Sequence, residues 1–239
     1  MIPLPTRLDK SVSAPSALTE IFGSWRPQAV VFDCDGLLMD TESLWIETQR
    51  RVCQGLGLHF DSALQHQLVG LPASRIGPLM AELSGTSPAA VVRQLLDVNE
   101  GLVHELGKPM PGARQLVEVM GAHVPLAVAS NSARRILDIA IGRGGFDAGF
   151  AITVSADEVP RPKPAPDVYL AAAVGLGVRP QDCLAFEDSE AGASAAVAAG
   201  MKVIAVPQAP TQRPVAHALC DSLDSAELLS YVATWSRNS

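Results

Sequence analysis

A chain of 239 residues that is 48% hydrophobic can bury one substantial core, or a core and a smaller satellite, with no help from disulfides. With 25 acidic against 18 basic side chains the formal charge is −7, which argues against a nucleic-acid partner or an anionic-membrane surface. Every apolar run is broken by charge, Gly or Pro well before the roughly 18 residues a membrane-spanning helix needs, so no membrane partner is expected.

Residues 1–27 carry scattered Pro, Ser and charge without the apolar stretch of a signal peptide, and a cytoplasmic protein is expected. They read as an N-terminal extension in which Leu18, Ile21, Phe22 and Trp25 have helical spacing and are placed to dock on a core. Short β-like runs then fall at 29–34, 125–130, 150–154, 183–186 and 202–206. Amphipathic stretches at 112–120, 133–141, 167–174 and 191–199 separate the later ones, and 224–235 is again helical. This alternation predicts an α/β fold, a doubly wound parallel sheet flanked by helices, which binds ligands at the carboxyl ends of its strands.

One region interrupts the alternation. Residues 41–108 are helical throughout, more chain than a βαβ crossover needs, and return through the punctuated run Gly-Lys-Pro-Met-Pro-Gly at 107–112. The expectation is an α-helical cap domain at 41–108, inserted into a core domain of residues 28–40 and 109–239, which would hang over the end of the first strand as a lid. Cys34, Cys53, Cys183 and Cys220 form no CxxC or Cys/His cluster, so neither a zinc site nor a disulfide framework is suggested. Oligomeric state is not legible in the sequence, and a monomer is the default expectation.

Four of the five strands end in polar or charged residues. The first runs into Asp33, Asp35 and Gly36, two carboxylates one residue apart where the chain must turn. Unpartnered acids at the mouth of a buried sheet are costly, so an oxygen-preferring divalent cation is the simplest account; capping of the next helix is the alternative. The second strand ends in Ser130, Asn131 and Ser132, which taken alone read as a helix N-cap but also offer a hydroxyl and backbone N–H groups to an anion. Lys163 follows the third strand with Pro162 and Pro164 on either side, which keep it from being absorbed into a helix; it is either held for a ligand or a solvated loop charge. Glu187 and Asp188 end the fourth; they either serve a helix dipole or face the first pair of acids across the sheet end.

Taken together, Asp33-Cys34-Asp35-Gly36, Ser130, Lys163 and Glu187-Asp188 resemble the four ordered motifs of the haloacid dehalogenase-like hydrolase superfamily. The resemblance spans about residues 28–222 and is to the helical-cap branch, which includes sugar-phosphate phosphatases and β-phosphoglucomutases. It implies a Rossmann-like core and metal-assisted phosphoryl transfer on a small phosphorylated metabolite. Asp33 would be the nucleophile and Asp35 the general acid and base. Mg2+ would be bound by Asp33, the Asp35 main-chain carbonyl and Asp188, with Glu187 orienting a metal-bound water. Lys163, Ser130 and the Asn131 N–H would hold the phosphate. In the cap, residues near Gly70 and Arg75 would contact substrate, with a solvated helix charge as the other reading of Arg75.

Phosphoglucomutases of this branch carry a cap histidine ten residues after the second acid, and here that position is Trp45. The resemblance therefore implies a phosphatase, with a mutase-like phosphotransferase as the alternative. A module that merely stores an aspartyl-phosphate is a third reading. Such receivers are shorter and lack a lid-sized insertion.

Overall fold

The structure, a computed structural model, describes residues 17–68, 71–209 and 211–235. Its strands are β1 (Ala29–Phe32), β2 (Leu126–Ser130), β3 (Ile152–Ser155), β4 (Cys183–Glu187), β5 (Lys202–Ala205) and β6 (Ala218–Leu219). All pair in parallel, in the order β3-β2-β1-β4-β5-β6. The chain lays β2 and β3 on one side of β1 and then returns to lay β4 on the other, so the topological switch point lies at the end of β1. All four residues of β1 are fully buried, as a central strand covered on both faces requires.

Alternation along the strands sorts large side chains from small. Val30, Phe32, Val128 and Phe186 face one core cluster, where Phe32 and Phe186 stack at 5.2 Å. Burying a side chain of that size is worth roughly 2–3 kcal/mol. This face is covered by α6 (Ala113–Gly121), α7 (Arg134–Gly144) and α10 (Ala226–Ala233). The opposite face presents Ala29, Val31, Ala127, Ala129 and Ala185, small enough for two alanine-rich helices, α8 (Asp167–Leu176) and α9 (Glu190–Ala198), to pack closely.

Several boundaries differ from the sequence expectation. The first strand stops at Phe32 rather than Cys34: the Asp33 N–H still donates to Phe186 at 3.0 Å, but the Cys34 carbonyl turns to accept from Leu38 and Met39. Strand β6 has no counterpart among the five expected runs, because its two residues are too short a stretch for any alternation to register. Helix α1 (Ala17–Phe22) does dock on the core, burying Leu18 and Phe22, the latter 5.4 Å from the Tyr231 ring. Ile21, expected to dock with them, is 51% exposed, and the first sixteen residues of the extension lie outside the described residues.

Between β1 and α6 lie α2 (Glu42–Gly55), α3 (Ser62–Leu68), α4 (Ala73–Ser84) and α5 (Pro88–Leu106). They share an apolar cluster of their own that includes Val52, Leu68, Ile76, Met80 and Leu95, whereas Leu44, Leu102 and Val103 join the sheet-side core. The two connecting segments run side by side. The Asp40 N–H donates to Lys108 and the Met110 N–H to Leu38, both at 2.9 Å. Among the described residues no helix is long and apolar enough to cross a membrane.

Candidate active site

Register brings the polar strand ends together. Phe32 pairs with Val128 on one side and Phe186 on the other, so Asp33 stands level with Glu187, and Ser130 lies two residues beyond Val128. Asp33 is buried, and its Oδ1 accepts from Lys163 Nζ at 2.5 Å. The same ammonium donates to Glu187 Oε1 at 2.7 Å and lies 4.9 Å from the centre of the Tyr169 ring. Burial alone would lower the pKa of Lys163, but Asp33 and Glu187 raise it above the usual lysine range, so it is a fixed cation. No hydrogen bond reaches Asp33 Oδ2 among the described residues, so that oxygen is free for a ligand.

Glu187 is fully buried and both its oxygens are occupied. Oε1 accepts from Lys163 and, at 2.7 Å, from the Tyr169 hydroxyl; Oε2 accepts from the Asp188 and Ser189 N–H groups and from Ser189 Oγ. Gly192 makes room for this: a Cβ there would fall 1.7 Å from Glu187 Oε1.

Asp188 is also buried, and no side chain among the described residues donates to its carboxylate. Burial, reinforced by Glu187 and opposed by Lys163, pushes its pKa up to about 8. Burial raises Asp33 well above the usual carboxylate range too, with Lys163 opposing and Glu187 and Asp188 adding to it. Ligand oxygens of Asp33, Glu187 and Asp188 lie within 4.8 Å of one another. Three crowded acids share one cation, and two of them keep free oxygens. Such a hard-oxygen set fits a divalent ion of the magnesium type.

Asp35 stands apart from this cluster. Its Oδ2 accepts from Ser130 Oγ and Ser132 Oγ, each at 2.8 Å, and its Oδ1 from Thr41 Oγ1 at 2.9 Å. Its main-chain carbonyl accepts none of the hydrogen bonds of the turn around Gly36. Gly36 has φ of +81°, and a Cβ there would lie 2.3 Å from Asp188 Oδ2, so only glycine allows both the turn and the close approach.

The Ser130-Asn131-Ser132 run does not cap a helix. The N-cap of α7 is Ala133, and the Arg134 N–H finds the Asp157 carboxylate at 2.8 Å. Asn131 instead clamps the lysine loop: its Oδ1 accepts from the Lys163 N–H at 2.8 Å and its Nδ2 donates to the Lys163 carbonyl at 3.2 Å. Arg75 stands exposed on the first turn of α4 without a hydrogen bond or ion pair to any of these residues, and Gly70 lies outside the described residues. Sequence reasoning missed the parts played by Tyr169, Thr41, Ser132 and the Asn131 side chain. Of these only Asn131 and Ser132 carried a signal, as part of the Ser-Asn-Ser run.

Residues 30–206 match the sequence family described as haloacid dehalogenase-like hydrolase. The chain is 33% identical to the fructose-1-phosphate phosphatase YqaB of Escherichia coli, over 76% of this chain and 97% of that protein. It is 35% identical to hexitol phosphatase B of the same organism, over 81% and 89%. Among solved structures, CbbY from Rhodobacter sphaeroides in complex with phosphate superposes with a TM-score of 0.71 at 26% identity, over 83% of this chain and 95% of that one. The motifs at the strand ends, the sheet order and these relatives agree: the chain belongs to the haloacid dehalogenase-like hydrolases.

Proposed function

We propose that the chain is a magnesium-dependent phosphatase that hydrolyses a small sugar or polyol phosphate through an aspartyl-phosphate on Asp33. The observation that carries the reading is the unequal treatment of the two acids after β1. Asp33 is paired with a lysine through one oxygen and keeps the other free, while Asp35 is held by three hydroxyls on a different side. One is presented as a nucleophile and the other as a proton carrier.

Asp33 Oδ2 attacks phosphorus in line, the bond from phosphorus to the leaving oxygen breaks, and Asp35, protonated for this step, gives its proton to the departing alkoxide. Asp35 then takes a proton from the water that attacks the same phosphorus, and the carboxylate of Asp33 leaves. Lys163 keeps its charge throughout and offsets the phosphate's negative charge. Asp33, the Asp35 carbonyl and Asp188 would hold Mg2+, which supplies charge neutralisation at the phosphoryl oxygens. Glu187, with its oxygens occupied, aims Lys163. The net charge of −7 does not oppose anion binding here, because remote surface charge is screened beyond roughly 8 Å. Residues 41–108 serve as the cap, a role their separate apolar cluster supports.

The direct test is phosphate release from a panel of hexose and hexitol phosphates, phosphoglycolate and p-nitrophenyl phosphate, with and without magnesium. Magnesium-dependent turnover is expected. Turnover that appears only with a bisphosphate activator would identify a mutase instead, and no turnover on any ester would overturn the reading.

The raised Asp188 gives an expectation for the metal. An acid with a raised pKa binds more protons folded than unfolded between its ordinary value of 3.8 and about 8, so metal-free stability falls as pH rises through that window. Magnesium at about a hundred times its dissociation constant is expected to raise Tm by roughly 5–10 °C at pH 8. The shift is expected to be smaller at pH 5 and to vanish in Asp188→Asn, as followed by thermal denaturation. An undiminished shift in Asp188→Asn would remove that residue as a ligand.

Gly36→Ala is expected to cost roughly 1–3 kcal/mol of stability, from the disfavoured φ, and about a hundredfold of turnover, from displacement of Asp188. Urea unfolding and phosphate release check the two effects separately.

A further inference from the structure

Tyr169, on α8, is fully buried in the core cluster that also holds Ala172, Ala173 and Ala185. A phenylalanine would fill that place with no polar atom to satisfy, so packing alone does not explain the hydroxyl. It donates to Glu187 Oε1 at 2.7 Å, the oxygen that also accepts from Lys163 Nζ at 2.7 Å. Holding Glu187 in place does not require it. The Asp188 and Ser189 N–H groups and Ser189 Oγ already fix that carboxylate through Oε2. Holding the lysine loop does not require it either, because Asn131 clamps the Lys163 main chain at both its N–H and its carbonyl.

What the hydroxyl changes is the pull on the ammonium. Lys163 Nζ stands between two buried carboxylates, donating to Asp33 Oδ1 and to Glu187 Oε1. A second donor on Oε1 draws off part of that oxygen's negative charge and weakens its hold on the first, which leaves more of the ammonium's charge for Asp33. The Tyr169 ring adds a floor. Its centre lies 4.9 Å from Nζ, and an aromatic face attracts a cation at that range.

We propose that Tyr169 is a positioning residue for phosphoryl transfer: by sharing Glu187 with Lys163, it keeps the ammonium aimed at Asp33 and the phosphoryl group instead of drawn back onto Glu187. The inference rests on the phosphatase reading above. An ammonium slightly displaced still offers its charge to a bound phosphate, but it meets the transition state less well.

The test compares wild type with Tyr169→Phe, which keeps the ring and removes only the hydroxyl. On protein shown to be folded by its thermal transition, kcat is expected to fall about tenfold, the scale of one hydrogen bond to a charged group, with KM changed less than about threefold. The same factor is expected on a hexitol phosphate and on p-nitrophenyl phosphate, since Lys163 acts at the phosphorus and not at the leaving group. A merely structural residue would lower Tm and leave the kcat of folded protein unchanged, so a kcat within about twofold of wild type would overturn the proposal. Inactivity of the wild type on every ester would overturn the phosphatase reading itself, and this inference with it. A second measurement needs no turnover. Orthovanadate, which takes the trigonal bipyramidal shape of the transition state, is expected to bind Tyr169→Phe about tenfold more weakly by calorimetry, while inorganic phosphate binds within about twofold of wild type. Equal weakening of both anions would also overturn the proposal, because the charge of the site and not its aim would then have changed.

Discussion

Asparagine at position 33 is expected to lower turnover by about 10^4-fold or more while the protein stays folded. The substitution is isosteric, and an amide oxygen can still accept from Lys163, which also keeps its 2.7 Å bond to Glu187. It removes one of three acids crowded within 4.8 Å, two of which are pushed up in pKa by burial, so metal-free stability at neutral pH is not expected to fall. An amide has no charge and little nucleophilicity, so the first displacement at phosphorus stops. Phosphate release, followed across a magnesium titration, separates this from a simple ligand role. If Asp33 only held the metal, excess magnesium would restore a large share of the rate; if it attacks phosphorus, no concentration does. Substrate binding should persist in the variant, because Lys163, Asp188 and the hydroxyl cluster remain.

The acids themselves were legible because each follows a short apolar strand and the fold sends strand ends to one place. Lys163 was legible because flanking prolines mark a lysine kept out of a helix. What the sequence hid was the division of labour among them. Asp35 is held from three points, Thr41, Ser130 and Ser132, and only the pairing of Phe32 with Val128 brings the last two within reach. The Ser-Asn-Ser run reads locally as a cap, but its hydroxyls are drawn to Asp35 and the helix end is served by Asp157, a residue from a distant turn. Tyr169 is invisible for a different reason. On the apolar stretch of α8 it reads as core, and it is fully buried, yet its hydroxyl is bonded to the carboxylate that aims Lys163. Ile21 fails the other way, since helical spacing alone cannot say which of Leu18, Ile21 and Phe22 faces the core in a helix of six residues.

Lys163→Met is expected to be the more damaging change for the fold, costing about 3–5 kcal/mol at neutral pH, or roughly 10 °C in Tm. The side chain is 4% exposed and is the cation shared by two buried acids, so a neutral replacement leaves Asp33 and Glu187 facing each other. The Tyr169 hydroxyl and the Ser189 donors remain on Glu187, but nothing replaces the ammonium on Asp33. The pH dependence has a definite sign. In the wild type Lys163 has a raised pKa, so its contribution is complete below its ordinary value of 10.5 and is lost only as pH rises beyond it. In the variant Asp33, already raised by burial and now without the lysine that opposed the rise, takes up a proton as pH falls. The destabilisation should therefore shrink from pH 8 toward pH 4, whereas turnover should not recover, because the charge that faced the phosphate is gone. Thermal unfolding at several pH values, with phosphate release measured on protein shown to be folded, checks both halves. A variant as stable as wild type at pH 8 would mean that the two acids are relaxed by solvent rather than held by Lys163. The positioning roles assigned to Glu187 and Tyr169 would then fall with it.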